Sequence, residues 1–216
     1  MMSLTCLLSR MRRSGLLLIC CLVMAVQAHA SSLPDQKTLL VFGDSLSAAY
    51  GIDSRKGWVA LLQEKLAGTH PEWQVVNASI SGETTSGGLS RLPEALETYT
   101  PDLVLLQLGA NDGLRGLPLK GMKNNLSQMI VLSQQQNADV LLFEMRIPPN
   151  YGPVYSRRFQ GVFSELADQH DIGLVPFFLD GVAGDAALNQ PDGIHPVASA
   201  QPKLLENIWS FIVTSL

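Results

Sequence analysis

Leu103-Val-Leu-Leu-Gln-Leu108, introduced by Pro101-Asp102 and closed by Gly109, is the stretch on which the fold of this 216-residue chain turns. A strand with one wet face alternates polar and apolar residues, whereas a strand covered on both faces reads as a continuous apolar run. This run is of the second kind. Thr38-Leu-Leu-Val-Phe42 has the same character and also stops at a glycine. Gln74–Ala78, Ala138–Phe143 and Gly173–Pro176 complete a set of five expected strands.

Helical periodicity fills the intervals. Gly57–Leu66 places Trp58, Leu61, Leu62 and Leu66 on one face, with Gly68 behind as a stop signal. Thr84–Thr98 reads as a helix interrupted near Pro93, and Leu119–Gln136 and Val154–Gln169 as two more. Leu204, Leu205, Ile208 and Ile212 mark a closing helix. Strands alternating with helices predict an α/β/α three-layer sandwich around a five-stranded parallel sheet. Ligands of such sheets bind at the carboxyl ends of the strands. Ser45, Gly82 and Asn111 each follow a strand by a few residues, which puts all three on that edge.

The first thirty residues are read apart from the fold. Arg10, Arg12 and Arg13 precede an apolar run from Gly15 to Val26, and Ala28-His29-Ala30 offers a small-x-small cleavage site. Met1–Ala30 therefore reads as a secretory signal peptide, with Met2 and Met11 as alternative starts and Arg12-Arg13 as a weak twin-arginine signal. The apolar run falls short of the roughly 20 residues of a membrane span, so no membrane insertion is expected after cleavage. The expected location is the periplasm or the extracellular space. The leader carries three arginines and no acid, so the formal charge of −4 becomes −7 for residues 31–216, which read as one domain. No run of cations breaks that balance, which argues against nucleic acid or an anionic membrane surface as the main partner. Cys6, Cys20 and Cys21 all lie in the leader, leaving no disulfide, thiol nucleophile or cysteine-held metal behind it. A monomer without cofactor or metal is expected.

Four polar blocks carry chemistry. Ser45, in Gly43-Asp44-Ser45, offers a hydroxyl that is a weak nucleophile until a base takes its proton. His195 sits in a Pro- and Gly-rich loop with Asp192 three residues upstream, a spacing that lets one loop turn present a base and the carboxylate that orients it. Gly82, in Ser81-Gly82-Glu83, exposes a backbone N–H, and Asn111, before Asp112, offers a side-chain amide. With the Ser45 N–H these would make an oxyanion site. Each block alone reads as ordinary turn chemistry; their conjunction on one sheet edge does not. The Gly-x-Ser-x-Gly elbow of common lipases is absent, since Ser47 stands where its second glycine would be.

In this order the blocks resemble those of the SGNH/GDSL hydrolases: Gly43-Asp44-Ser45-Leu46-Ser47, Gly82, Gly109-Ala110-Asn111-Asp112 and Asp192-Gly193-Ile194-His195-Pro196. The match runs from about Thr38 to His195. Asn111–Gly116 and Pro149–Gly152 resemble in particular a secreted branch of acyl-CoA thioesterases, arylesterases and lysophospholipases. Ala110 stands where a glycine is expected in that branch. The resemblance implies a flavodoxin-like fold and a serine esterase or thioesterase acting on acyl esters and thioesters, with Ser45, Asp192 and His195 catalytic. Leu114, Ile147, Pro148 and Tyr151 are candidates to line an acyl groove. Two other readings predict different behaviour: a carbohydrate or short-chain acetylesterase, and a periplasmic acyl-chain carrier without turnover.

Overall fold

The five runs become five strands, β1 Lys37–Gly43, β2 Trp73–Asn77, β3 Leu103–Gln107, β4 Asp139–Phe143 and β5 Gly173–Val175, in a computed structural model that describes residues 36–216. The expected leader, Met1–Ala30, lies outside the described residues. All strands are parallel, in the order β2-β1-β3-β4-β5, which is the flavodoxin-like order. Burial follows that order. β3 at the centre is buried at all five positions, whereas the edge strands β2 and β5 each have one buried residue.

Six α-helices occur among the described residues, α1 Trp58–Thr69, α2 Thr85–Tyr99, α3 Ala110–Leu114, α4 Leu119–Gln135 and α5 Pro153–His170 between strands and α6 Gln201–Val213 after the last one. Parallel crossovers are right-handed, so direction of travel decides which face each helix covers. The step from β1 to β2 runs one way across the sheet and all later steps run the other way. This puts α1 on one face and α2, α4 and α5 on the opposite one. The contacts agree: α1 packs on α6, while α2 packs on α4 and α4 on α5. The reversal occurs beside β1, which creates a crevice between the carboxyl ends of β1 and β3.

Two local features differ from expectation. Pro93 does not interrupt α2, which runs unbroken through it. An interior proline forfeits one backbone hydrogen bond and costs about 3 kcal/mol. Pro93 is exposed, so the orphaned carbonyl can face water, while Leu92, Ala95 and Leu96 are buried on the opposite side. Each such side chain is worth up to about 2 kcal/mol when buried, and their packing carries the helix across the break. The second difference is α3, a single turn after β3 that no periodicity could announce.

Candidate active site

Ser45 is fixed by a turn that begins as β1 ends. The N–H groups of Ser47 and Ala48 donate to the Asp44 carbonyl at 3.2 and 2.9 Å, so the chain leaves the sheet in a short helical turn with Ser45 on it. The Trp58 indole N–H, from the start of α1, donates to the Leu46 carbonyl at 3.2 Å. The Trp58 backbone N–H is in turn capped by the buried Gln201 side chain at 3.0 Å. The turn is thus tied to the starts of both helices on that face.

His195 arrives from the loop between β5 and α6. Its Nε2 lies 2.8 Å from Ser45 Oγ and its Nδ1 lies 2.6 Å from Asp192 Oδ2. The other oxygen of Asp192 accepts the backbone N–H groups of Ile194 and His195 at 2.9 and 3.0 Å. The hydrogen bond to His195, and then those two N–H groups, hold the Asp192 carboxyl down at about 2. An ionised carboxylate only accepts, so the proton sits on Nδ1 and the Nε2 lone pair faces the serine hydroxyl. The ring also packs against Tyr50, with centroids 4.5 Å apart.

One residue that sequence reasoning passed over joins these two loops. The Gln190 N–H donates to the His195 carbonyl at 2.7 Å, and its side-chain amide donates to the Tyr50 carbonyl at 2.8 Å. The Tyr50 N–H donates to the Ser45 carbonyl at 3.2 Å. A short relay of bonds therefore sets the serine turn against the histidine loop.

Gly82 and Asn111 face the same cleft. Gly82 has φ +79°, a conformation that side-chain-bearing residues rarely adopt, and among the described residues neither its N–H nor that of Ser45 has a protein acceptor. Gly109 opens α3 at φ +114° under the Phe163 and Met122 side chains, so the turn that presents Asn111 requires glycine there. Asn111 Nδ2 donates to the Glu83 carbonyl at 3.0 Å and more loosely to Asp44 Oδ2 at 3.3 Å. Buried Asp112 receives the Thr85 N–H at 2.8 Å and hydroxyl at 2.6 Å, which locks the block around Asn111 to the start of α2.

Beneath the cleft lies a polar knot that the sequence did not reveal. Asp44 is 1% exposed. Its Oδ1 accepts from the Leu46 N–H and from Gln107 Nε2, both at 3.0 Å. Gln107 Oε1 in turn accepts the Ser47 hydroxyl at 2.6 Å and the Asp44 N–H at 3.3 Å. Burial pushes the Asp44 carboxyl up to about 6, although Gln107, Leu46, His195 and Asn111 each pull it back. The available signal was Gln107 itself, an amide at the end of a wholly apolar strand.

The cleft over Ser45 has a volume of about 330 Å³ and is walled by Gly82, Asn111, His195, Tyr50 and Leu114. A second cavity of about 320 Å³ shares Leu46, Ala110, Leu114 and Ile194 with it and extends past Met145, Ile147, Pro148 and Phe177. Leu114, Ile147 and Pro148 thus line the cavity beside the nucleophile. Tyr151 lines a different groove, and its hydroxyl donates to the Leu114 carbonyl at 2.7 Å. No cluster of His, Cys, Asp and Glu able to hold a metal occurs among the described residues.

The family described as GDSL-like lipase/acylhydrolase matches residues 41–201, which span all four blocks. The chain belongs to that family. It is 48% identical to Esterase TesA of Pseudomonas aeruginosa over 195 residues, 90% of this chain and 96% of the relative. It is 43% identical to Thioesterase 1/protease 1/lysophospholipase L1 of Escherichia coli over 169 residues, 76% of this chain and 78% of the relative. Among solved structures it resembles the psychrotrophic esterase EstA of Pseudoalteromonas, inhibited by monoethylphosphonate. That match has a TM-score of 0.79 and 45% identity, covering 82% of this chain and 97% of the other. The chain is accordingly a hydrolase of acyl esters built on an α/β fold.

Proposed function

We propose that Ser45 carries out this hydrolysis through an acyl-enzyme, on esters and thioesters with medium or long acyl chains. Support comes chiefly from the unbroken bonding path Asp192–His195–Ser45, which faces a cleft that shares Leu46, Ala110, Leu114 and Ile194 with a largely apolar cavity. As Oγ attacks the carbonyl carbon, His195 Nε2 takes its proton, and the imidazolium is stabilised by ionised Asp192. The former carbonyl oxygen, now anionic, meets the N–H groups of Ser45 and Gly82 and the Asn111 amide. Its competitor for Asn111 is the 3.3 Å bond to Asp44, the longer of the two. Collapse breaks the bond to the leaving alcohol or thiol, which receives the proton from His195. Water then repeats the cycle and frees the acid.

The apolar cavity favours a fatty acyl group over acetyl. It is bordered by Leu46, Leu114, Ile147, Pro148 and Phe177, with Arg146 as its charged member. Relatives named esterase, thioesterase and lysophospholipase point the same way. The leader-like first thirty residues support export, with action in the periplasm on lysophospholipids or other acyl esters, since coenzyme A esters are scarce there. Sequencing the amino terminus of protein from that compartment tests cleavage after Ala30.

A serine-directed fluorophosphonate should label Ser45 and nothing in Ser45→Ala. Aryl esters of two to sixteen carbons should then be cut with a rate that rises beyond acetyl. A rate that falls monotonically from acetyl supports the acetylesterase reading, and an unlabelled Ser45 supports a carrier.

A further inference from the structure

We propose that the rim of the cleft on the α4–α5 side is a docking surface for an anionic phospholipid bilayer, on which the enzyme sits peripherally while it works. Eight large hydrophobic residues are prominently exposed among those described. Six of them (Tyr50, Ile80, Leu117, Tyr151, Val154 and Ile194) lie on the loops or first helical turns that follow strands, at the carboxyl edge of the sheet, and Tyr50 and Ile194 wall the cleft itself. A random scatter would not favour one edge of the sheet. Three of the six, Leu117, Tyr151 and Val154, are neighbours. The Tyr155 hydroxyl reaches the Leu117 carbonyl at 3.5 Å, Tyr151 and Tyr155 stack with centroids 6.5 Å apart, and a groove of about 650 Å³ joins Tyr151, Val154 and Arg158.

Charge selects the partner. Residues 113–160 hold six lysines and arginines against two acids, in a chain whose formal charge is −4. Lys123 and Arg146 are neutralised by Glu165 and Glu144. Arg115, Lys120, Arg157 and Arg158 are exposed and have no carboxylate partner among the described residues. The sequence contains no run of cations; the surface arises because the β3–α4 and β4–α5 connections meet. Exposed aromatic and aliphatic side chains that share a groove with the unpaired Arg158, with further unpaired cations on the same two connections, fit a layer of acyl chains under anionic headgroups. Among the described residues no helix is long and apolar enough to cross a membrane, which agrees with peripheral attachment.

The proposal rests on the acyl-ester reading for its purpose, but binding is measured without turnover. The Ser45→Ala protein is mixed with vesicles of phosphatidylcholine alone or with about 30% phosphatidylglycerol and sedimented. Binding to the anionic vesicles should exceed binding to the neutral ones at least about tenfold and collapse in about 0.5 M salt. Each cation near such a leaflet is worth about fivefold. Adding Lys120→Gln, Arg158→Gln and Val154→Ser should therefore weaken binding more than about twentyfold. The same three changes with Ser45 intact should leave hydrolysis of a soluble short aryl ester within about twofold, since Tyr151 and the cavity are untouched. Absent binding, equal binding to both vesicle types, or a triple variant that binds like its parent would overturn the proposal. Failure to label Ser45 would overturn the catalytic reading without touching this one.

Discussion

Replacing Asp44 by asparagine keeps the shape of a buried side chain and removes its ionisation. Burial raises this carboxyl from its ordinary 3.8 to about 6. Below 3.8 it is protonated in the folded and unfolded chains alike. Between 3.8 and 6 the folded protein keeps a proton that the unfolded chain has released, so the stability contributed by this group falls as pH rises through 6. A shift of about two pH units at 1.36 kcal/mol each amounts to about 3 kcal/mol. Asp44→Asn cannot titrate. Urea unfolding of both proteins from about pH 3 to pH 7 should therefore show the difference between them changing by about 3 kcal/mol in favour of the variant. Parallel curves across that range would refute the reasoning, because the folded-state proton would then sit elsewhere. Activity should move the other way. The amide introduced by Asp44→Asn can turn an N–H toward the Asn111 amide, donor against donor, and an oxyanion donor so displaced costs about 10²-fold in kcat.

Asp192→Asn should lower kcat by about 10⁴-fold with little change in KM, because the amide favours the wrong imidazole tautomer; steady-state kinetics on an aryl ester checks it. Gln190→Ala removes the side-chain bond from the histidine loop to the Tyr50 carbonyl and should reduce kcat about tenfold while costing about 1–2 kcal/mol, read from turnover and thermal unfolding together. Leu105→Ala opens a cavity at the sheet centre, where the residue is wholly buried, and should cost about 2–5 kcal/mol in denaturant titration.

The central strands were legible because a two-sided burial leaves a plain mark: β1 and β3 are apolar runs that end at glycine or in polar blocks. The edge strand β5 was legible only as a short stretch, and it forms only three residues of ladder. The reacting groups could be picked out because nucleophile, base, carboxylate and donors must be particular residue types at strand ends. Their supports could not. Asp44 and Gln107 look like residues leaving a strand, and nothing local says that the two side chains close on each other across the sheet. Pro93 misled for the converse reason, since a local penalty was outweighed by packing supplied from elsewhere. Tyr151, expected in the acyl groove, is recruited by the Leu114 carbonyl, an acceptor that sequence cannot display.

The placement of His195 has a consequence for how this protein fails. Ser45 hangs from β1, flanked on both sides by other strands, whereas His195 hangs beyond β5, which pairs with β4 alone over three residues. Edge segments with few ladder bonds open at lower free energy than the centre of a sheet. On mild heating or in dilute denaturant the base should therefore drift from a nucleophile that is still in place. Hydrolysis should be lost reversibly while far-ultraviolet circular dichroism still reports an intact sheet, so activity reports on the integrity of one edge and not of the whole fold.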